Sequence, residues 1–250
     1  MAFMKMAAAA LVPVLCTLAF HFAEKKTPFQ KLSDKKKQLV IGISFAALAI
    51  LATQFGIPVN GAVMNVRNAA PLTAGLVFGW PAGILSGLIG GIERWFSPSG
   101  DYTRLACSIS TIISGFLGAA VRRFMMDNKK VSWFYGLVVG VTSEVLHMLM
   151  VIFTNAADMQ RAFHVVQSIA IPMIAANGLS VMLSMLVTSR SESSGAGQTK
   201  RLKIFLRHFS AGCLHVCCSH LSQHLSSFTD FKRGFRRRRR ILSLKPISRM

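Results

Sequence analysis

The chain has 250 residues, of which 52% are hydrophobic and 15% charged, and its mean hydropathy is +0.47. Charge this sparse lies well below the quarter usual for a water-soluble domain, so the composition fits a single membrane domain. The formal net charge of +20 would suit a nucleic-acid binder. However, residues 200–250 hold thirteen Lys and Arg against one acid, Asp230, and the other basic residues sit in short blocks between apolar runs, where they set topology.

The apolar runs cover residues 7–22, 39–57, 71–92, 103–121, 131–153 and 165–188. Each is close to the ~20 residues of a spanning helix. Helix is the expected form throughout, because isolated strands leave their backbone unpaired in lipid. The first run reads as a retained helix and not a signal peptide, since FHFAEKK is a poor cleavage site and Leu15 is too large to precede a lipidated Cys16. The five cysteines are scattered and form no disulfide framework.

The third run belongs to the stretch NVRNAAPLTAGLVFGWPAGILSGLIGGIERWF, residues 65–96. It carries a glycine at every fourth position (Gly75, Gly79, Gly83, Gly87, Gly91), prolines at Pro71 and Pro81, and an arginine near each end, Arg67 and Arg94. Topology gives this pattern a meaning. Lys25, Lys26, Lys31, Lys35, Lys36 and Lys37 fill the first loop, Arg122, Arg123, Lys129 and Lys130 the fourth, and the segment after Thr188 is basic as well. All three belong in the cytoplasm, and six simple crossings cannot put them there. A break at Gly79, Trp80 and Pro81, returning the third run to its side of origin, satisfies all three. Pro81 would remove a helical hydrogen bond there. Small residues at four-residue spacing would let the two arms pack closely. The alternative is one kinked, tilted helix. The expected fold is therefore an all-α polytopic membrane protein with five to six transmembrane helices and a Gly/Pro-rich broken or re-entrant helical hairpin.

In the hairpin form, Arg67 and Arg94 fall on one outer side. Guanidinium forks match carboxylates, and arginines at membrane depth usually mark a site, although either could be an interfacial anchor. Cys107 and Ser110, three apart, share a helix face near Arg94. They are candidate ligand contacts or small residues at a helix crossing, with Asn65 as a polar orienter. Glu144 and His147 form another i, i+3 pair, to be read as an intramembrane polar pair or as a proton-sensitive element. His164 reads as interfacial and Asn177 as interhelical glue.

The segments NVRNAAPLTAGLVFGWPAGILSGLIGGIERW, GDYTRLACSISTIISGFLG, SEVLHMLMVIF and IAIPMIAANGLSVML, in this order, resemble the transmembrane receptor region of LytS-type sensor histidine kinases over about residues 10–189. The hairpin alone also resembles substrate-binding subunits of energy-coupling-factor vitamin transporters. The first resemblance implies a bacterial inner-membrane sensor, multi-pass, linked to cell-wall turnover and to small external carboxylates such as pyruvate. It implies that Arg67, Arg94, Cys107 and Ser110 line one pocket. The partners expected are a small anionic ligand, the lipid bilayer, a second copy in a homodimer, and a response regulator only if a kinase domain is present. The alternative function is a substrate-binding membrane subunit of a small-solute transporter. Glu93 departs from the family pattern, and nothing after Thr188 looks like an output domain.

Three regions are expected: a sensor domain at 1–189, a juxtamembrane linker at 190–204 and a basic tail at 205–250. Gln198, Thr199, Leu202, Lys203 and Ile204 fit the family linker. The tail then changes character and reads best as out-of-frame translation in place of an output domain. Its Cys213, Cys217, Cys218, His220 and His224 match no standard zinc spacing, and Arg236 to Arg240 attract any polyanion nonspecifically. No P-loop, HExxH or ATP-lid pattern occurs, so no catalytic residue, cofactor or metal is expected, and no specific nucleic acid.

Overall fold

A computed structural model describes residues 2–26, 28–125 and 132–189. The expected linker, tail, Cys/His cluster and arginine run lie outside the described residues, as do Lys129 and Lys130. The described residues all belong to one compact unit.

The architecture is helical, as the apolar runs require. Helix α1 spans Ala2–Lys26 and α2 Asp34–Gln54. Two short strands follow, β1 Ile57–Val59 and β2 Ala62–Met64. Helix α3, Ala69–Thr73, runs on as a π-helical turn, Ala74–Phe78. Then come α4 Trp80–Phe96, α5 Arg104–Ala120 with its own π-helical turn Val121–Met125, α6 Trp133–Thr154 and α7 Met159–Ser189. Among the described residues, four helical stretches are long and apolar enough to cross a bilayer: Asp34–Gln54, Asp101–Met125, Trp133–Thr154 and Ala156–Ser189. Shorter apolar stretches cover Lys5–His21 and Ala69–Phe78.

The third run is a broken hairpin. The break is at Gly79, with φ 117° and ψ −178°, a conformation open to glycine and strained for other residues. Pro81 has a different role from the one expected of it. It sits in the first turn of α4, where its missing N–H costs nothing, so it starts a helix and does not break one. The arms then press together through backbone: a Cβ on Gly83 would lie 2.5 Å from Gly75 Cα and 2.9 Å from the Gly115 oxygen of α5. The glycine spacing thus brings the descending arm, α4 and α5 into direct backbone contact.

Side chains tie down both ends of the hairpin. At the tip, Gln38 donates from Nε2 to the Phe78 carbonyl (2.6 Å) and accepts from the Ala82 amide (3.2 Å). Arg122 donates to the carbonyls of Leu76 (2.9 Å) and Val77 (2.7 Å). These bonds satisfy carbonyls that the end of a helix leaves open. Gln38 follows one basic block and Arg122 opens another, so the tip lies at the basic end, the one expected to face the cytoplasm. At the other end, Gln54 donates to Glu93 (3.2 Å), so α2 and α4 run parallel. The descending arm Ala69–Phe78 rises only about 15 Å at 1.5 Å per residue, half the ~30 Å hydrocarbon core. The preceding residues enter that depth without helical structure.

Among the described residues, the two strands depart from an all-helical reading. Ile57 pairs with Met64, Pro58 with Val63 and Val59 with Ala62, antiparallel around Asn60 and Gly61, whose φ values of 50° and 84° suit a tight two-residue turn. The turn docks on α7 and on the loop before α5. Asn60 donates to Ser168 Oγ (3.2 Å), and Arg161 lies 4.3 Å over the Tyr102 ring beside Gly61. Ala62, Val63 and Met64 are all buried. Near the hairpin tip, the rings of Phe20, Phe29, Phe45 and Phe78 form an aromatic cluster that joins α1 and α2 to the hairpin.

Candidate functional site: a closed polar chamber under the strand hairpin

Between the strands and the aromatic cluster lies a polar chamber inside the helices. Asn65, Arg67, Asn68, Arg94, Cys107, Ser110, Thr111, Glu144, His147 and Asn177 are all buried, and Arg67 and Arg94 are among the largest fully buried side chains. The non-helical residues 65–68 bring the first of these in from the strands. Their backbone is paired from α7: Asn177 accepts from the Ala69 amide (3.1 Å) and donates to the Asn65 carbonyl (3.2 Å). Non-helical backbone at membrane depth needs such protein partners. Asn177 is interhelical glue, as expected, and its work is to hold this segment. Asn65 orients locally, its Oδ1 accepting from the Arg67 amide (3.2 Å) and its Nδ2 donating to the Val63 carbonyl (3.3 Å).

Arg67 donates from Nε to Thr111 Oγ1 (2.7 Å), from Nη1 to Thr53 Oγ1 (3.4 Å) and from Nη2 to the Cys107 carbonyl (3.3 Å). Arg94 comes back from α4 and donates to the Ser99 (2.5 Å) and Gly100 (2.7 Å) carbonyls, while its buried Nε has no acceptor. The two guanidiniums lie near each other and near Cys107. Their hydrogen-bond acceptors are hydroxyls and backbone carbonyls, and among the described residues neither arginine has a carboxylate within ion-pair distance. Burying a charge without a counterion is costly.

Glu144 and His147 are not a separate pair. Cys107 Sγ lies 3.3 Å from His147 Nε2, and His147 Nδ1 lies 3.2 Å from Glu144 Oε2. Asn68 is the hub: its Nδ2 reaches Ser110 Oγ (3.0 Å) and Glu144 Oε1 (2.8 Å), and its Oδ1 accepts from Thr111 Oγ1 (2.9 Å). Arg67, the Cys107 and Ser110 pair and the acid–imidazole pair are therefore one network on α5, α6 and the segment before α3, while Arg94 reaches the neighbourhood of Cys107 from α4. The sequence reading did not single out Asn68, Thr111 or Thr53. The first two had a signal: Asn68 is the second Asn of the NVRN tetrapeptide, and Thr111 stands one helical turn after Cys107. Of the remaining candidates, His164 is exposed on α7, away from this network.

The cluster sets two guanidiniums beside the neutral groups of Ser, Thr, Asn and Cys, a donor set of the kind that suits an anion. The strands and the Arg94-bound loop 97–103 cover it on the outer side.

Comparison with known proteins identifies the family. The family model described as 5TMR of 5TMR-LYT matches residues 22–191. The sensor histidine kinase YpdA of Escherichia coli K12 is 32% identical over 194 residues, covering 73% of this chain and 34% of that protein. The sensor histidine kinase BtsS of the same strain is 30% identical over 148 residues, covering 58% of this chain and 26% of that protein. The sensor protein LytS of Staphylococcus haemolyticus is 28% identical over 213 residues, covering 76% of this chain and 35% of that protein. The chain spans between about a quarter and a third of the length of these curated relatives. No solved structure matches it significantly. A bundle of spanning helices around a broken hairpin, matched over most of its length by this model, belongs to the 5TMR-LYT family: the chain is a multi-pass bacterial inner-membrane sensory input domain of the LytS-type sensor kinases.

Proposed function

We propose that this input domain binds a small carboxylate, with pyruvate as the representative case, between Arg67 and Arg94. One observation carries the reading: two fully buried guanidiniums bond only to hydroxyls and carbonyls, with no carboxylate within ion-pair distance among the described residues. A carboxylate neutralises that charge and fits the planar fork. Opening of the strand hairpin on the outer face admits the ligand. Occupancy pulls together the segment before α3, the end of α4 and the start of α5, and α7, which holds that segment through Asn177, carries the change to the cytoplasmic side. The wider activity belongs to the same proposal: signalling as a homodimer to a response regulator through a kinase module, with cell-wall turnover among the outputs.

The test is calorimetric titration of pyruvate and lactate into the full chain in lipid nanodiscs. Saturable binding that Arg67→Met and Arg94→Met each abolish is expected. Binding unchanged in both variants refutes the arginine site. Accumulation of labelled pyruvate inside sealed vesicles carrying the protein refutes a sensor in favour of the transport subunit.

A further inference from the structure

The carboxylate reading leaves part of the chamber unexplained, and the following inference rests on that reading and deepens it. An anion site needs cations and neutral donors. It does not need a cysteine, a histidine and a glutamate in line. Here Cys107 Sγ is 3.3 Å from His147 Nε2, and His147 Nδ1 is 3.2 Å from Glu144 Oε2. Asn68 Nδ2, which reaches Ser110 Oγ and Glu144 Oε1, also lies 3.2 Å from His147 Nδ1. In the tautomer that donates from Nδ1 to Glu144 Oε2, the Nε2 lone pair faces the thiol. This is a nucleophile, its base and a group that orients the base, all buried. A second feature points into the same place: Arg94, fully buried beside Cys107, has an Nε with no acceptor. A ligand with an anionic end for the arginines and an electrophilic carbon for the sulfur would use both features.

We propose that Cys107 adds reversibly to the carbonyl carbon of a 2-oxo acid held by Arg67 and Arg94, so that the receptor reads the keto group together with the carboxylate. The thiol proton moves to His147 Nε2. A sulfur electron pair forms the S–C2 bond, and the C2–O π pair moves onto oxygen. His147 returns the proton to that oxygen, giving a thiohemiketal. Thiol and ketone combine without a leaving group, and no oxidant or reductant takes part. Glu144 steadies the imidazolium while it holds the proton. A 2-hydroxy acid offers the same carboxylate but no electrophilic carbon, so it binds without reacting.

The experiment uses the full chain in nanodiscs with pyruvate labelled with carbon-13 at C2, and with lactate as the unreactive partner. The expected result is a protein-bound tetrahedral C2 resonance, distinct from free pyruvate hydrate, that is absent in Cys107→Ser and in His147→Gln. Pyruvate should also bind about tenfold more tightly than lactate to the unaltered protein, and that preference should vanish in Cys107→Ser. Both wild-type measurements stand even if a variant fails to fold. If both acids bind equally and bound C2 stays a ketone, the adduct is overturned while the arginine site survives. If neither acid binds, the carboxylate reading fails and the adduct falls with it.

Discussion

Replacing Gly83 with alanine tests the packing that builds the hairpin. In an ordinary exposed helix this change stabilises by about 1 kcal/mol, because alanine is the better helix former. At Gly83 the added Cβ meets Gly75 Cα at 2.5 Å, Gly75 N at 2.9 Å and the Gly115 oxygen at 2.9 Å. Ordinary contacts lie at about 3.5–4.0 Å, so the neighbours must retreat by on the order of 1 Å. They are backbone atoms of two separate segments, so no rotamer change relieves the clash. Overpacking costs about 1–3 kcal/mol, and a backbone-on-backbone clash belongs near the top of that range. Less the helix gain, the net loss is about 2 kcal/mol. For a chain of this size that lowers Tm by about 4–8 °C. The assay is thermal unfolding in detergent by intrinsic tryptophan fluorescence, with Gly90→Ala on the same helix as comparison. A Cβ on Gly90 meets only side-chain carbons, Ala49 Cβ at 3.0 Å and Thr111 Cγ2 at 3.3 Å, so its cost is smaller. A Gly83→Ala protein as stable as wild type, or more so, refutes the close-packed hairpin.

Three further changes probe the site and the tip. Arg67→Met removes a buried charge that has no carboxylate partner, so Tm without ligand should stay within about 4 °C of wild type, or roughly 1 kcal/mol. The stabilisation that pyruvate gives wild type, about 2.7 kcal/mol at a hundredfold excess over Kd, should disappear. A large fall in Tm without ligand would make Arg67 a structural tie instead. Asn68→Asp places a second carboxylate against Glu144 where an amide now donates at 2.8 Å, and should cost on the order of 3 kcal/mol. It should be worse than Asn68→Ala in the same melt, and equal losses would deny Asn68 its donor role. Arg122→Ala strips the Leu76 and Val77 carbonyls of their donor and should cost about 1–3 kcal/mol. Hydrogen exchange at residues 74–82 should rise, and unchanged exchange there would show that the tip does not depend on this clamp.

Much of the fold was legible in one dimension, because lipid allows few alternatives. A backbone in hydrocarbon must pair internally, so apolar runs of about 20 residues can only be helices. The basic blocks around Lys35 and Arg122 fixed which ends face the cytoplasm, and only a returning third run satisfied both. Arg67, Arg94, Cys107 and Ser110 stood out because polar groups are rare and costly at such depth. The tertiary structure decided the rest. Gly79 makes the turn while Pro81 starts the next helix, a difference of backbone dihedral that composition does not carry. Asn60 and Gly61 form a strand hairpin because Asn60 reaches Ser168 and Gly61 sits beside Tyr102 and Arg161, residues distant in the chain. Glu144 and His147 read as a local pair because an i, i+3 spacing shows only one helix face. Joining them to Cys107, about 40 residues away, needs α5 and α6 packed side by side with Asn68 between them. Local propensity and solvent chemistry act along the chain, so sequence reveals helices, topology and costly residues. A buried network depends on which faces meet, and only packing settles that.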